Sequence, residues 1–520
     1  MISLLLAACT EDKTYSSYDR DEDDLIVEAR QQLRGDEIPL LGGDVVQPFP
    51  GPGVALGDLD GDGYLDLVLA AGTPQSAAFR NDGAGTLVVD AAFTADGGPL
   101  PGANTVAVAD LEGDGDLDLF LGTPDDDRLL MNDGHGAFTS VVLSAEGHTT
   151  TSAVFADLDG DGDLDLLCTR HSWPVDLQVI VSGAPTEDPS TLYMNVDGAW
   201  VEDPDRLPFE ARKLYAHHGV VVDGDRDGDL DLYLASDWGL WNGPNTWLDN
   251  DGYGFFSLGP AEGLDVEMSA RGIAMGDIGT DARPDFYVTG IGPPALLESV
   301  EEGGWTDHTA QHGANVPSSA THATSWGTTT VDVDGDGLLD IAIAFGKLFI
   351  APDFGDGENY KQYFGADPEA QADVLLVNNT NGRFSDRSDA VGFNLTTITK
   401  SVVVGDLDRD GRPDLVTAGY LDLALVPFAQ VWHVDGGWGP GVTVQFEGPT
   451  PVGTRVEVVA DGDTTVRWLA PSTSYASSAP EVYVGTRDSV SASSLSVTWL
   501  DGTTSDLGAV DVGTIVRATR

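Results

Sequence analysis

Short apolar runs bracket an acidic, glycine-bearing loop at intervals along most of the chain. Val106-Ala107-Val108-Ala109 precedes one copy, and Leu67-Val68-Leu69-Ala70 follows another. Runs of this length with loop residues between them predict β-strands, so the unit reads as strand, loop, strand. The loop in its first copy is Asp58-Leu59-Asp60-Gly61-Asp62-Gly63-Tyr64-Leu65-Asp66-Leu67, and it recurs from Asp110, Asp157, Asp223, Asp332 and Asp406. A degenerate copy runs from Asp277 to Phe286. Successive starts lie 52, 47, 66, 54, 55 and 74 residues apart. After each loop strand a second signature appears, as in Phe79-Arg80-Asn81-Asp82-Gly83 and Leu130-Met131-Asn132-Asp133-Gly134. It is echoed at Tyr193 to Gly198, Trp247 to Gly252 and Val377 to Gly382. Asn/Asp-Gly between apolar runs marks a hairpin. Each repeat then holds about four strands, the content of one propeller blade. Seven loops predict an all-β fold with a seven-bladed β-propeller.

The loop chemistry points to calcium. Acids at positions 1, 3 and 5, glycine at 6, a backbone carbonyl at 7 and an acid at 9 follow the ligand spacing of a calcium loop. The candidate ligands are Asp58, Asp60, Asp62, the Tyr64 carbonyl and Asp66 in loop one, and Asp110, Glu112, Asp114, Asp116 and Asp118 in loop two. Loops three and four offer Asp157, Asp159, Asp161, Asp163 and Asp165, then Asp223, Asp225, Asp227, Asp229 and Asp231. Loop six offers Asp332, Asp334, Asp336, the Leu338 carbonyl and Asp340. Loop seven offers Asp406, Asp408, Asp410, the Arg412 carbonyl and Asp414. This is not an EF-hand, because position 12 is never acidic and no helices flank the loop. The fifth loop has Gly279 at position 3 and Ala282 at position 6, leaving Asp277, Asp281 and Asp285, with Arg283 beside them. About six calcium sites are therefore expected, with the fifth loop weak or empty and Arg283 turned onto a neighbouring carboxylate.

Charge sharpens this reading. The loops carry 30 of the chain's 86 acids, and the net charge is -61. Carboxylates packed so closely repel one another, which a bound cation relieves. Such a chain is no partner for nucleic acid or anionic lipid. No apolar stretch reaches 18 residues, so no transmembrane helix is expected.

The loops resemble FG-GAP/VCBS repeats, found in integrin α-subunit propellers and in bacterial extracellular proteins. Asp237-Trp238-Gly239, Asn245, Trp247 and Asn250-Asp251-Gly252 resemble the segment typical of the cartilage-acidic-protein-like group. The resemblance covers about Val45 to Val434. From about Gly436 the acidic loops stop and Val, Thr and Ser alternate, predicting a separate, small, sandwich-like β domain. Gly453-Thr454-Arg455-Val456, Ser474-Tyr475, Ser477, Val497-Thr498-Trp499 and Asp501-Gly502 are similar to an ASPIC/UnbV domain. That family has Phe-Gly-Leu-Gly where Val484-Gly485-Thr486-Arg487 stands here, and Pro where Leu500 follows the tryptophan.

The expected division is a lipoprotein signal over 1–9, a flexible tether over 10–44, the propeller over 45–435 and the C-terminal domain over 436–520. Leu6-Ala7-Ala8-Cys9 resembles a lipobox, which implies a lipid anchor at Cys9, and Thr10 after it favours the outer membrane of a Gram-negative bacterium. Asp24 to Arg34 carries a weak helix pattern ended by Gly35. Cys168 is expected to be a buried thiol.

No nucleophile–base signature or zinc-type His/Cys spacing stands out. His217-His218 precede loop four on a predicted strand, where neighbours point to opposite faces, so the pair does not readily serve one site. Trp173, Trp200, Trp238, Trp241 and Trp247 could stack on sugars or pack between blades. The expected function is binding, in adhesion or as a scaffold at the cell surface, with a surface protein or glycan as partner. The alternative is an enzyme acting on extracellular polysaccharide. The long connections at about Arg170 to Ser190 and Phe345 to Ala372 are expected to sit on the binding face.

Overall fold

A computed structural model describes residues 25–34, 51–72, 75–144, 147–172, 182–260, 262–301, 303–316, 324–346, 371–421, 426–449 and 451–520. The signal and anchor region, most of the tether, Trp173 and the centres of both long connections lie outside the described residues.

The repeats form seven antiparallel sheets, each built on four strands. The innermost strands are Gly53–Gly57, Thr105–Ala109, Thr150–Ala156, Tyr215–Val222, Ser269–Gly276, Ser325–Val331 and Ile398–Gly405. Each packs on the next, and the last packs back on the first, closing a ring. The fold is an all-β propeller. The inner strands are almost wholly buried, which is why they read as unbroken apolar runs rather than alternating ones. Between blades the faces interdigitate. Val220, Tyr233 and Trp247 of the fourth blade meet Ile273, Phe286 and Leu297 of the fifth.

One expectation fails at the N-terminus. Ile26–Arg34 is neither helix nor tether but a strand, pairing antiparallel with Pro427–Asp435 as the outer strand of the seventh blade. Its residues include good helix formers, but the open edge of the sheet offers a full row of backbone partners, and that tertiary pairing wins. Val27 and Leu33 are buried in flanking cores. Gln31 exchanges hydrogen bonds with the backbone of Leu87 in the first blade, and Arg30 donates to Asp408 at 2.8 Å. The strand that precedes the first repeat and the last strand of the repeats thus meet in one blade, which locks the ring.

The C-terminal domain has two sheets. One holds Val442–Phe446, Glu481–Val484 and Thr514–Ala518. The other holds Arg455–Ala460, Asp463–Trp468, Ser491–Thr498 and Thr504–Asp511. Their inner faces share a core of Val442, Val444, Val456, Val458, Leu495, Val497 and Trp499. The domain is not detached, however. A hairpin, Ser472–Thr473 and Ala476–Ser477, leaves it and adds to the inner edge of the first blade through Ser477 and Ala55.

Candidate metal centres

All the acidic loops join the first strand of a blade to the second, so they share one face of the ring. Each loop is wound by its own carboxylates. Asp58 accepts from the backbone N–H groups of Asp62 and Gly63 at 3.0 and 2.9 Å. Asp110, Asp157, Asp332 and Asp406 repeat the bond to the glycine at position 6. That glycine lies at positive φ, +92° in Gly63, where a Cβ is costly.

Position 9 has a role that the sequence did not reveal. Asp66 accepts Leu59 N–H with one oxygen and Asn81 N–H with the other, at 3.1 and 2.9 Å. Asp118, Asp165, Asp231 and Asp340 do the same with the matching residues of their blades. The acid therefore staples the loop to the third strand, besides standing beside the candidate ligands. The asparagine of the second signature extends the staple between blades. Asn132 Nδ2 donates to Leu59 O of the first blade and Leu117 O of its own, both at 2.9 Å. Asn81 reaches Leu407 O and Asn250 reaches Leu158 O in the same way.

The loops fit a cation. Among the described residues, one oxygen each of Asp159, Asp223, Asp229, Asp332 and Asp408 is buried without a hydrogen-bond partner. A buried carboxylate oxygen left so is costly, and a hard cation with oxygen ligands is what such a cluster suits. Burial and neighbouring acids push the Asp66, Asp118 and Asp165 carboxyls up to about 7 and that of Asp231 to about 8. Asp58, Asp60 and Asp62 converge, as do Asp157, Asp159 and Asp165. Calcium would be held by these acids and the position-7 carbonyls, and would supply charge balance and rigidity.

Two loops differ. In loop five Asp277 accepts from Asp281 and Ala282, and Asp285 from Gly279 and Ser299. Arg283 pairs with Asp281 at 2.9 Å, the internal contact expected from the sequence. Ala282 sits at φ +62°, the conformation that favours glycine. Loop seven keeps its full acid set but meets three basic side chains, Arg30 on Asp408, Arg412 on Asp410 at 3.2 Å and His433 on Asp414 at 2.9 Å, where loops one and three each meet one, Arg80 on Asp60 and Arg206 near Asp159.

The C-terminal domain sits on loops six and seven of this face, and the tips of loops one to four stay exposed. Gly485 N–H donates to Asp332 at 3.1 Å, Arg467 to Gly337 O at 3.1 Å, Arg487 to Asp336 O at 2.7 Å, and Arg409 of loop seven pairs with Glu481 at 3.1 Å. The departures from the family pattern at Val484 to Arg487 thus lie in the docking contact with loop six.

From there the 472–478 hairpin enters the central channel. Tyr475, fully buried, donates its N–H to Thr151 O at 2.9 Å and accepts from Val106 N–H at 3.2 Å. Ser474 Oγ donates to Arg271 O and Thr473 Oγ1 to Val402 O. Beneath the tip, the Nε2 atoms of His171 and His217 stand 3.4 and 3.3 Å from Asp237 Oδ2, which also accepts from Arg271 at 3.0 Å. The Tyr475 hydroxyl lies 2.8 Å from His217 Nδ1. His218 belongs elsewhere, accepting from Ile273 N–H, so the adjacent histidines do serve different contacts. Burial holds both imidazoles down at about 3, neutral at ordinary pH. Sequence reading missed His171 and Asp237 as partners, because 46 and 20 residues separate them from His217 and only the blade packing joins them.

Trp247 packs between blades against Phe286 and Trp305, and Trp200 lies edge-on to Phe155. Trp238 is buried, whereas Trp241 and Leu240 are 42% and 62% exposed. Cys168 is a buried thiol. Among the described residues, no helix is long and apolar enough to cross a membrane.

The family model described as FG-GAP-like repeat matches residues 58–121, 110–168 and 356–417, and that described as ASPIC and UnbV matches 448–520. The chain carries FG-GAP-like repeats and a C-terminal ASPIC and UnbV domain. Neither description singles out the cartilage-acidic-protein-like group. No curated protein matches. Among solved structures, the chain is similar to a lectin of Burkholderia pseudomallei, at 12% identity and TM-score 0.44 over 75% of this chain and 98% of that one. An Agrocybe aegerita lectin that recognises non-reducing terminal N-acetylglucosamine has 16% identity and TM-score 0.41 over 64% and 79%. A rhamnogalacturonan lyase has 14% and 0.37 over 73% and 71%. At these scores the likeness carries nothing about ligand or chemistry.

Proposed function

We propose that the protein is a calcium-loaded extracellular propeller that binds a surface protein or glycan, in adhesion or as a scaffold, through the face opposite its acidic loops. An anchor at Cys9 in a bacterial outer membrane belongs to the same proposal. The observation that carries the reading is the seating of the C-terminal domain. It sits on loops six and seven, and its hairpin fills the channel, which takes the middle of the loop face from a large ligand and favours the opposite face and the rim. On that face the second strand of each blade turns into the third. Trp241 and Leu240 stand there, exposed, in the turn of the fourth blade, and both long connections join the same strands of their blades. Exposed aromatic and aliphatic side chains at such a place are the usual anchors of a binding surface.

The polysaccharide-degrading alternative draws less support. Its candidate base, His217, is fully buried beneath Tyr475, and a substrate must reach a catalytic group within hydrogen-bond distance.

The test is a binding screen against glycans and surface proteins in the presence of calcium. Wild type, Trp241→Ala and a chain lacking Phe354 to Ala366 are compared. Loss of a hot-spot aromatic typically weakens binding by about 2 kcal/mol or more, some thirtyfold. The reading predicts such a loss in at least one variant at unchanged melting temperature. Equal capture by all three chains, or glycan turnover abolished by His217→Ala, would overturn it.

A further inference from the structure

Among the described residues outside the acidic loops, Glu298, His308 and His312 form a cluster of metal-type ligands, with both histidines partly exposed. Glu298 lies on the third strand of the fifth blade, Ala295–Ser299, and just after the fourth strand His308 precedes and His312 ends a single helical turn, Thr309–His312. The turn is pinned to that strand. Leu296 N–H donates to Thr309 Oγ1 at 2.7 Å, His308 N–H to Leu296 O at 2.8 Å, and Thr309 N–H to Asp307 at 2.9 Å. Spacing of i and i+4 puts both imidazoles on one side of the turn.

Their ligand atoms converge on one oxygen. His308 Nδ1 is 2.5 Å and His312 Nε2 3.3 Å from Glu298 Oε2, and all three atoms lie within 4.8 Å of one another. A tetrahedral zinc ion with bonds of 2.0–2.1 Å separates its ligand atoms by roughly 3.3 Å. The His312–Glu298 pair already has that spacing, and the partly exposed His308 side chain needs only a small swing outward.

The proton count on His312 is the second observation. Its Nδ1 meets Gly382 O in the sixth blade. A carbonyl only accepts, so Nδ1 carries the proton. In the neutral ring Nε2 is then a lone pair aimed at a carboxylate oxygen. Two acceptors then face each other, and either a second proton on Nε2 or a metal cation between them resolves the contact. A histidine whose other nitrogen donates to a backbone carbonyl is also how metal-ligating imidazoles are oriented.

We propose that Glu298, His308 and His312 form a zinc-type transition-metal site on the outer part of the fifth blade, held in place across the blade boundary by Gly382. Two imidazoles and one carboxylate select a borderline ion such as zinc over calcium, which takes oxygen ligands throughout. Three protein ligands at a partly exposed position leave the fourth to water or to a donor from a partner. The fifth blade is also the one whose acidic loop closes on itself through Arg283, so the two kinds of site fall on different blades.

The test uses the full chain with calcium in excess, so that the acidic loops do not report zinc. Protein is dialysed against zinc chloride, and bound metal is measured by elemental analysis and calorimetry. Wild type should hold one zinc per chain more than a His308→Ala/His312→Ala variant. Glu298→Gln should weaken binding by more than about tenfold, and zinc should raise the melting temperature of wild type alone. His312→Gln, whose amide can still donate to Gly382 O, keeps the test available if the double variant does not fold. Equal zinc content in wild type and in the folded variants would overturn the proposal, including the case in which the zinc sits on the channel histidines.

Discussion

Removing calcium is expected to lower the melting temperature of the full chain by well over 10 °C. Each ion that binds the folded loop and not the unfolded chain adds about 2.7 kcal/mol at a hundredfold excess over its dissociation constant. Six such sites together match the whole stability of an ordinary domain, roughly 5–15 kcal/mol. The conversion is roughly 2–4 °C per kcal/mol for domains of 150–250 residues and about 1 °C for a chain of this length, so the gain from all six sites together gives such a drop. The pH dependence gives the same account a sign. Without metal, Asp66, Asp118, Asp165 and Asp231 have folded-state pKa values of about 7 to 8, raised from the ordinary 3.8 by burial and by the other acids of their own loops. For a group raised in this way, the contribution to stability is full below the unfolded value and lost as pH rises through the folded value. Metal-free protein should therefore melt lower at pH 8 than at pH 5. Calcium should remove or reverse that trend, since it favours the ionised carboxylates. Melting curves at the two pH values, with chelator and with calcium, check both statements. Identical curves with and without calcium at pH 8 would refute them.

Tyr475→Ala is expected to unseat the C-terminal domain at a cost of about 3–5 kcal/mol, the usual range for emptying a buried aromatic site. The ring fills the channel against Trp326 and His217, and its hydroxyl is the partner of His217 Nδ1. Gly53→Ala should do the same from the propeller side, because a Cβ there would lie 2.0 Å from Tyr475 O. In both variants limited proteolysis near Gly436 and Gly437 should release the C-terminal domain from a ring that stays folded in calcium. Cleavage no faster than in wild type would mean that the loop-six contacts alone hold the domain.

The ring was legible because its signal is local and repeated. Acid spacing, the position-6 glycine and the Asn-Asp-Gly hairpins each describe a stretch of about ten residues, and repetition placed every blade. The contact from Arg283 to Asp281 was readable for the same reason. What stayed hidden depends on contacts between distant stretches. Ile26–Arg34 has residues that suit a helix, and only the open edge at Pro427–Asp435 makes it a strand. Ser474-Tyr475 resembles a family motif, yet nothing in its own sequence says that it enters the channel. The Asn132 side chain could be read as a turn residue, but its bond to Leu59 O spans 73 positions. His171, His217 and Asp237 meet across two blades. Each of these is fixed by closure of the ring rather than by periodicity.

Counting calcium in crystals by anomalous scattering tests the central claim most directly. The account predicts six ions, in the loops that start at Asp58, Asp110, Asp157, Asp223, Asp332 and Asp406, and none in the loop that starts at Asp277. Arg283 should remain on Asp281 there, and the C-terminal domain should sit over the occupied loop six. A fully occupied ion held by Asp277, Asp281 and Asp285, or loops one to four without any ion at saturating calcium, would contradict it.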